Sequence, residues 1–152
     1  MATAVSTTGP ASVRRRRPAA AISLLEASRR GLLEAAGLDP APQRYATAHL
    51  AALRAAAAML AARARPETPT RRGRPTSAWV LLTAVAPELG EWAAFFAAGA
   101  VKRAAAEAGL PRSVTAREAD DLVRDAGTFL AVVETTLGMS SQPALPVGSR
   151  AG

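Results

Sequence analysis

The chain has 152 residues, 19 of them Lys or Arg against 12 Asp or Glu, with one His, no Cys and a formal charge of +7. A disulfide framework, a thiolate zinc site and a cysteine nucleophile are thereby excluded, as is any site that needs two histidines. The length suits one domain. Alanine fills 39 positions and arginine supplies 18 of the 19 basic residues, a bias of the kind a GC-rich genome produces. Alanine is the strongest intrinsic helix former and strand-favouring residues are thin, so an all-α fold is expected. The charge-free run Pro75 to Pro87 is well short of the roughly 20 residues a membrane-spanning helix needs. Arg14 to Arg17 precede an apolar stretch, but that stretch ends at Glu26 and is marginal for a secretory signal. A cytoplasmic location is expected.

Taken in chain order, residues 1–19 carry Ser, Thr, Gly, Pro and four arginines, and residues 138–152 look similar. Neither stretch has a face to bury, so both are expected to be disordered tails. The helical bundle is expected over 20–137. Helix one begins near Ser23, whose spacing to Glu26 fits a capping box; Ile22, Leu25, Leu32, Leu33 and Ala36 share its face, and Gly37 stops it. Helix two follows Asp39-Pro40-Ala41-Pro42 and runs to about Arg65, with Ala46, Leu50, Leu53, Ala57 and Leu60 in its stripe. A loop from Pro66 to Pro75 holds Arg71, Arg72 and Arg74. Helix three starts near Thr76 or Ser77, carries Trp79, Leu82 and Val85, and meets Pro87, which breaks it. Pro87-Glu88 opens helix four, with Trp92, Phe96 and Gly99, ending near Gly109. Helix five opens at Thr115 with a second capping box to Glu118; Ala119, Leu122, Ala126, Phe129, Leu130, Val133 and Leu137 form its stripe, and Gly138 ends it. The result is an up-and-down bundle of four to five helices. Trp79, Trp92, Phe96 and Phe129 supply most of its large core volume rather than a stacking platform for bases.

Charge is unevenly spread. The 1–19 tail holds +4, the loop +2 and the C-terminal tail +1, which leaves the bundle neutral, its first two helices basic and the rest acidic. Arginines on loose pieces attract phosphate without specificity and with strong salt dependence; they do not describe a folded nucleic-acid groove. The string Arg71-Arg72-Gly73-Arg74-Pro75 is similar to an AT-hook, in which arginines enter a narrow minor groove, and makes Arg71, Arg72 and Arg74 candidate nucleic-acid contacts. A solvated loop is the plainer reading.

One acidic cluster and one arginine on the helices invite a chemical reading. Glu118, Asp120, Asp121 and Asp125 could act as acid and base or hold a metal, yet they open a helix, where acids are favoured by the dipole. Pairs Arg117–Asp121 and Asp120–Arg124 are also four apart, so a structural role is expected. Arg29 falls inside the apolar stripe of helix one; it either snorkels outward or pairs with a buried acid, and snorkelling is expected.

The segment Arg44-Tyr45-Ala-Thr-Ala-His49-Leu-Ala-Ala-Leu53-Arg54 carries a resemblance, together with Trp79-Val-Leu-Leu, Pro87-Glu88-Leu89-Gly-Glu91-Trp92-Ala-Ala-Phe95-Phe96 and Arg117-Glu118-Ala119-Asp120-Asp121-Leu122. Over residues 22–137 the chain resembles the HEPN domain, in particular small stand-alone HEPN proteins of actinobacteria. The resemblance implies a helical bundle that often dimerises. Many HEPN proteins are ribonucleases of toxin, antiviral or RNA-processing systems, with an arginine, four to six residues, then a histidine. In those, the arginine stabilises the phosphate and the histidine serves metal-free cleavage through the 2′-hydroxyl. Arg44 and His49 fit that spacing. Others lack the pair and act as binding partners, some beside nucleotidyltransferases. On a straight helix, positions five apart point about 140° away from each other, so Arg44 and His49 converge only off the helix proper or across a dimer seam. The plainer reading of His49 is a boundary histidine hydrogen-bonded to a backbone carbonyl. The leading expectation is thus an RNA- or nucleotide-associated binding and interaction module and homodimer, with no cofactor or metal. A metal-independent endoribonuclease using Arg44 and His49 is the alternative. A DNA-associated protein acting through Arg14–Arg17 and the loop arginines is the second.

Overall fold

The computed structural model describes residues 10–63 and 77–139, with side chains from residue 18 onward. The expected nucleic-acid contacts Arg71, Arg72 and Arg74, residues 1–9 and residues 140–152 lie outside the described residues. The described chain is all helical: α1 (Pro10–Ala36), α2 (Ala41–Arg63), α3 (Ala78–Val85), a 3₁₀ turn over Pro87–Leu89, α4 (Gly90–Ala98), α5 (Ala100–Glu107) and α6 (Ala116–Thr136). α2 lies at the centre, with α1, α6, α5 and α3 packed around it.

Helix ends follow local chemistry. Ser77 accepts from the Trp79 amide to cap α3, and Thr115 accepts from the Glu118 amide to cap α6, satisfying amides that have no partner in the helix. Gly109 and Gly138, at φ +77° and +64°, take the left-handed conformation that closes α5 and α6. Two boundaries differ from the sequence expectation. α1 starts at Pro10, not near Ser23, so Ser23 sits inside the helix and caps nothing. The fourth rod is interrupted at Gly99, which divides it into α4 and α5.

The buried faces are built from smaller residues than the leucine pattern suggests. α1 buries Ala21, Leu25, Ser28 and Ala35, whereas Leu33 is 78% exposed and Ile22 half exposed. α2 buries Ala48, Ala51, Ala52, Ala55, Ala56, Ala58 and Met59 and leaves Leu50 partly in solvent. The reason is axial distance. Helix axes approach according to the side chains between them, and a central helix flanked on several sides has room mainly for methyls. The contact is closest where Gly31 crosses α2: a methyl added there would stand 3.2 Å from the Ala51 Cβ. About one helical turn earlier in the same contact, the buried Ser28 hydroxyl donates to the Ala51 carbonyl at 2.7 Å, so this buried polar side chain is satisfied.

Large volume is concentrated on the other side of α2. Trp79 and Phe96 stack with centroids 5.1 Å apart, Phe96 and Phe129 are also 5.1 Å apart, and Trp92 lies against both phenylalanines. Such pairs add about 0.5–1.5 kcal/mol each beyond burial. The stripe expected for the last helix is the one α6 buries: Ala119, Leu122, Ala126, Phe129, Leu130 and Val133. α2 is also long and apolar enough to cross a membrane by length and composition; its alanines are the packed centre of the bundle.

The orientation of α1 can be tested directly. Leu25→Ala is expected to lower the free energy of unfolding in urea by about 2–5 kcal/mol. Leu33→Ala, on the face read from sequence as buried, is expected to change it by less than about 0.5 kcal/mol.

Candidate functional site

Arg44 lies in the first turn of α2, within the helix. Its side chain is 12% exposed and each of its three guanidinium nitrogens donates a hydrogen bond. Nε donates to the Leu38 carbonyl at 3.1 Å, one terminal nitrogen to Asp39 Oδ1 at 2.7 Å, and the other to Asp120 Oδ1 at 3.0 Å. The planar fork of arginine suits several fixed acceptors at once. Arg44 therefore ties the α1–α2 turn to the first turn of α6.

His49 lies one and a half turns further along α2 and is 0% exposed. Its Nε2 is 2.8 Å from the Phe96 carbonyl oxygen. A carbonyl only accepts, so Nε2 carries the proton and Nδ1 holds a lone pair, buried and without a partner. The ring is boxed by aromatics: Tyr45 stacks at 6.4 Å, while Trp79 and Phe96 meet it edge-on at 5.9 Å each. Gly99 makes room for this arrangement. A methyl there would stand 2.8 Å from the Tyr45 hydroxyl and 3.5 Å from the His49 ring. The α4–α5 break is thus where the helix yields to the Tyr45–His49 pair. Sequence reading singled out neither Gly99 as a break nor Tyr45 as a wall of the box; a glycine inside an otherwise helical pattern was the available signal.

Burial pushes the His49 pKa below its ordinary value, and the positive charge of Arg103 acts in the same direction; the Phe96 carbonyl and Glu107 oppose them. Tyr45 is pushed up, mainly by burial. Both shifts follow from the cost of charging a group away from water.

The structure does not bring Arg44 and His49 together. One faces Asp39 and Asp120 at the bundle end, the other the aromatic interior. The plainer reading of His49, a histidine bonded to a backbone carbonyl, describes its geometry, though it is interior rather than at a boundary.

The acidic start of α6 is spent on ion pairs, with partners other than those read from spacing. Asp120 pairs with Arg44, while Asp121 and Asp125 both face Arg124. Glu118 binds Lys102 of α5, which holds its carboxyl below the usual value. Arg29 does not snorkel: its Nε meets Glu134 at 2.9 Å and ties α1 to α6. That pair forms because α6 passes alongside α1, which no local pattern on α1 records.

Residues 35–134, well over half of the chain, match the family model described as SAV_6107-like HEPN. The chain belongs to the HEPN family. The matched span holds α2 to most of α6 and includes both Arg44 and His49. No curated protein and no solved structure gives a significant match. In this HEPN domain Arg44 and His49 stand five positions apart on α2, and their side chains face different surroundings.

A buried neutral histidine makes this HEPN bundle acid-sensitive. The unfolded chain takes up the His49 proton near pH 6.5, the folded one only at lower pH, so stability is complete above that range and falls as pH drops through it, by at most about 1.4 kcal/mol per pH unit. The urea midpoint of the wild type is expected to fall between pH 7 and pH 5, and that of His49→Phe to fall less. Equal slopes would contradict the assignment.

Proposed function

We propose that this HEPN domain is an RNA- or nucleotide-associated binding and interaction module of the cytoplasm, and that Arg44 and His49 serve its architecture rather than a cleavage reaction. The burial of His49 carries this reading. A histidine that works on a 2′-hydroxyl must come within hydrogen-bond reach of it. Here Nε2 is held by Phe96 and Nδ1 faces the interior. The arginine that would steady a phosphate is already paired with two carboxylates and a carbonyl. Family membership is what supports the RNA or nucleotide association.

The endoribonuclease reading rests on the Arg44–His49 spacing. It requires His49 to leave its aromatic box and Arg44 to release Asp39 and Asp120. The DNA-associated reading rests on Arg14–Arg17 and on Arg71, Arg72 and Arg74, whose side chains lie outside those described.

Incubation with structured RNAs in EDTA separates these readings. The module is expected to retard RNA in a salt-dependent way and to leave it intact, with wild type and His49→Ala alike. Cleavage by the wild type that disappears in His49→Ala would overturn the proposal in favour of the nuclease. The DNA-associated reading is tested separately with duplex DNA: binding that is unchanged when residues 1–19 are deleted and Arg71, Arg72 and Arg74 are neutralised would refute it.

A further inference from the structure

α5 is held to the bundle by little. The only residue it buries is Ala106, and its one large aliphatic, Val101, is 80% exposed. Among the described residues a single ion pair joins it to another helix, Lys102 to Glu118, both well exposed, and such a pair ties weakly. The chain turns at a glycine on either side of α5, Gly99 before it and the left-handed Gly109 after it. Element ends of this kind absorb the rotation when a segment moves as a hinge.

The start of α5 lies against His49. A methyl on Gly99 would stand 3.5 Å from the His49 Cδ2, and one turn further on the positive charge of Arg103 acts on the ring. This seam is short of acceptors. His49 Nδ1 and Arg103 Nε are both buried without a hydrogen-bond partner, and Glu107 Oε1, 3.6 Å from that Nε, is beyond hydrogen-bond range. A second proton on the imidazole therefore creates an N–H that nothing receives and a cation beside Arg103, a cost that burial magnifies. The other surroundings do not offset it. α3 and α4 present Trp79 and the already bonded Phe96 carbonyl, and α2 presents Tyr45, whose hydroxyl burial keeps protonated. Lys102 and Glu118 stand beside Tyr45 paired with each other. Glu107, the remaining acid, is largely exposed.

We infer that α5 is an acid-released lid: when His49 takes up a second proton, α5 swings off α2 about Gly99 and uncovers His49 and Tyr45, while α1, α2 and α6 stay packed. This device goes beyond the proposed module and does not depend on RNA. With the lid open the imidazole protonates near its ordinary 6.5, with the lid closed only at lower pH, so the open form binds more protons and gains as pH falls. The opening equilibrium rises by up to about 25-fold between pH 7 and pH 5. Lys102 holds the Glu118 carboxyl below its usual value, so that latch is still charged at pH 5 and the response belongs to His49.

The chain has no cysteine, so one introduced thiol reads one seam. Ala106→Cys places it on the buried side of α5, and Ala126→Cys in the buried stripe of α6. Trapping by 4,4′-dithiodipyridine is referenced to the urea-unfolded chain at each pH. It is expected to accelerate at Ala106→Cys from pH 7 to pH 5, to stay slow at Ala126→Cys, and to lose its pH dependence when His49→Phe is added. Amide hydrogen exchange of the wild type reads the same opening without a substitution: residues 101–107 are expected to lose protection at pH 5 and residues 119–133 to keep it. Equal trapping of Ala106→Cys at both pH values, equal acceleration at both cysteines, a response that survives His49→Phe, or unchanged protection of 101–107 would overturn the inference.

Discussion

The whole arrangement depends on how closely helices can approach α2. A central helix with neighbours on several sides leaves little space between axes, and the chain meets that constraint with alanine on α2 and with glycine and serine on α1. Dispersion and hydrophobic contact then accrue from many short-range methyl contacts rather than from a few large side chains. The aromatic residues occupy the space that remains between α2 and the α3, α4 and α6 helices. One consequence is directional. With the leucines of α1 and α2 unnecessary at the seam, Leu33 and Leu50 turn outward.

The same crowding decides the fate of the arginine–histidine pair. Once α2 is surrounded, a residue at position 49 faces the interior whatever its chemistry. The chain accommodates an imidazole there by giving Nε2 a carbonyl from α4 and by breaking the facing helix at Gly99. Position 44, a turn and a half earlier, faces the bundle end, where a guanidinium finds two carboxylates and the Leu38 carbonyl of the α1–α2 turn. Two residues five positions apart on one helix thus end in different places, His49 in the core and Arg44 in a clamp between the α1–α2 turn and α6.

Fold class, most helix positions and the α6 face were legible from sequence because they follow from local rules. Thr115 and Ser77 cap where hydroxyl residues precede an apolar run, Gly138 ends α6, and the α6 stripe has the helical period. The faces of α1 and α2 were not legible. Periodicity weights leucine over alanine, and only the number of neighbours around α2 reveals that small residues are preferred. The start of α1 was misplaced for a related reason, since Ser23 and Glu26 have the spacing of a cap although the helix is already under way. Partners in tertiary ion pairs were equally out of reach: Asp120 chooses Arg44, 76 positions away, over Arg124 on its own helix. At the candidate site, the residues were identified and their divergence followed from helical angle, while the aromatic box needed α3 and α4 in place.

The account stands on His49 being sealed inside a methyl-packed bundle. Because His49 is the only histidine in the chain, modification by diethyl pyrocarbonate reports on that one ring. The imidazole is expected to be unreactive in the native protein and to react only along the urea unfolding transition, together with the loss of helical signal. Rapid modification of the native protein, with its helical content intact, would show an accessible imidazole and contradict the account.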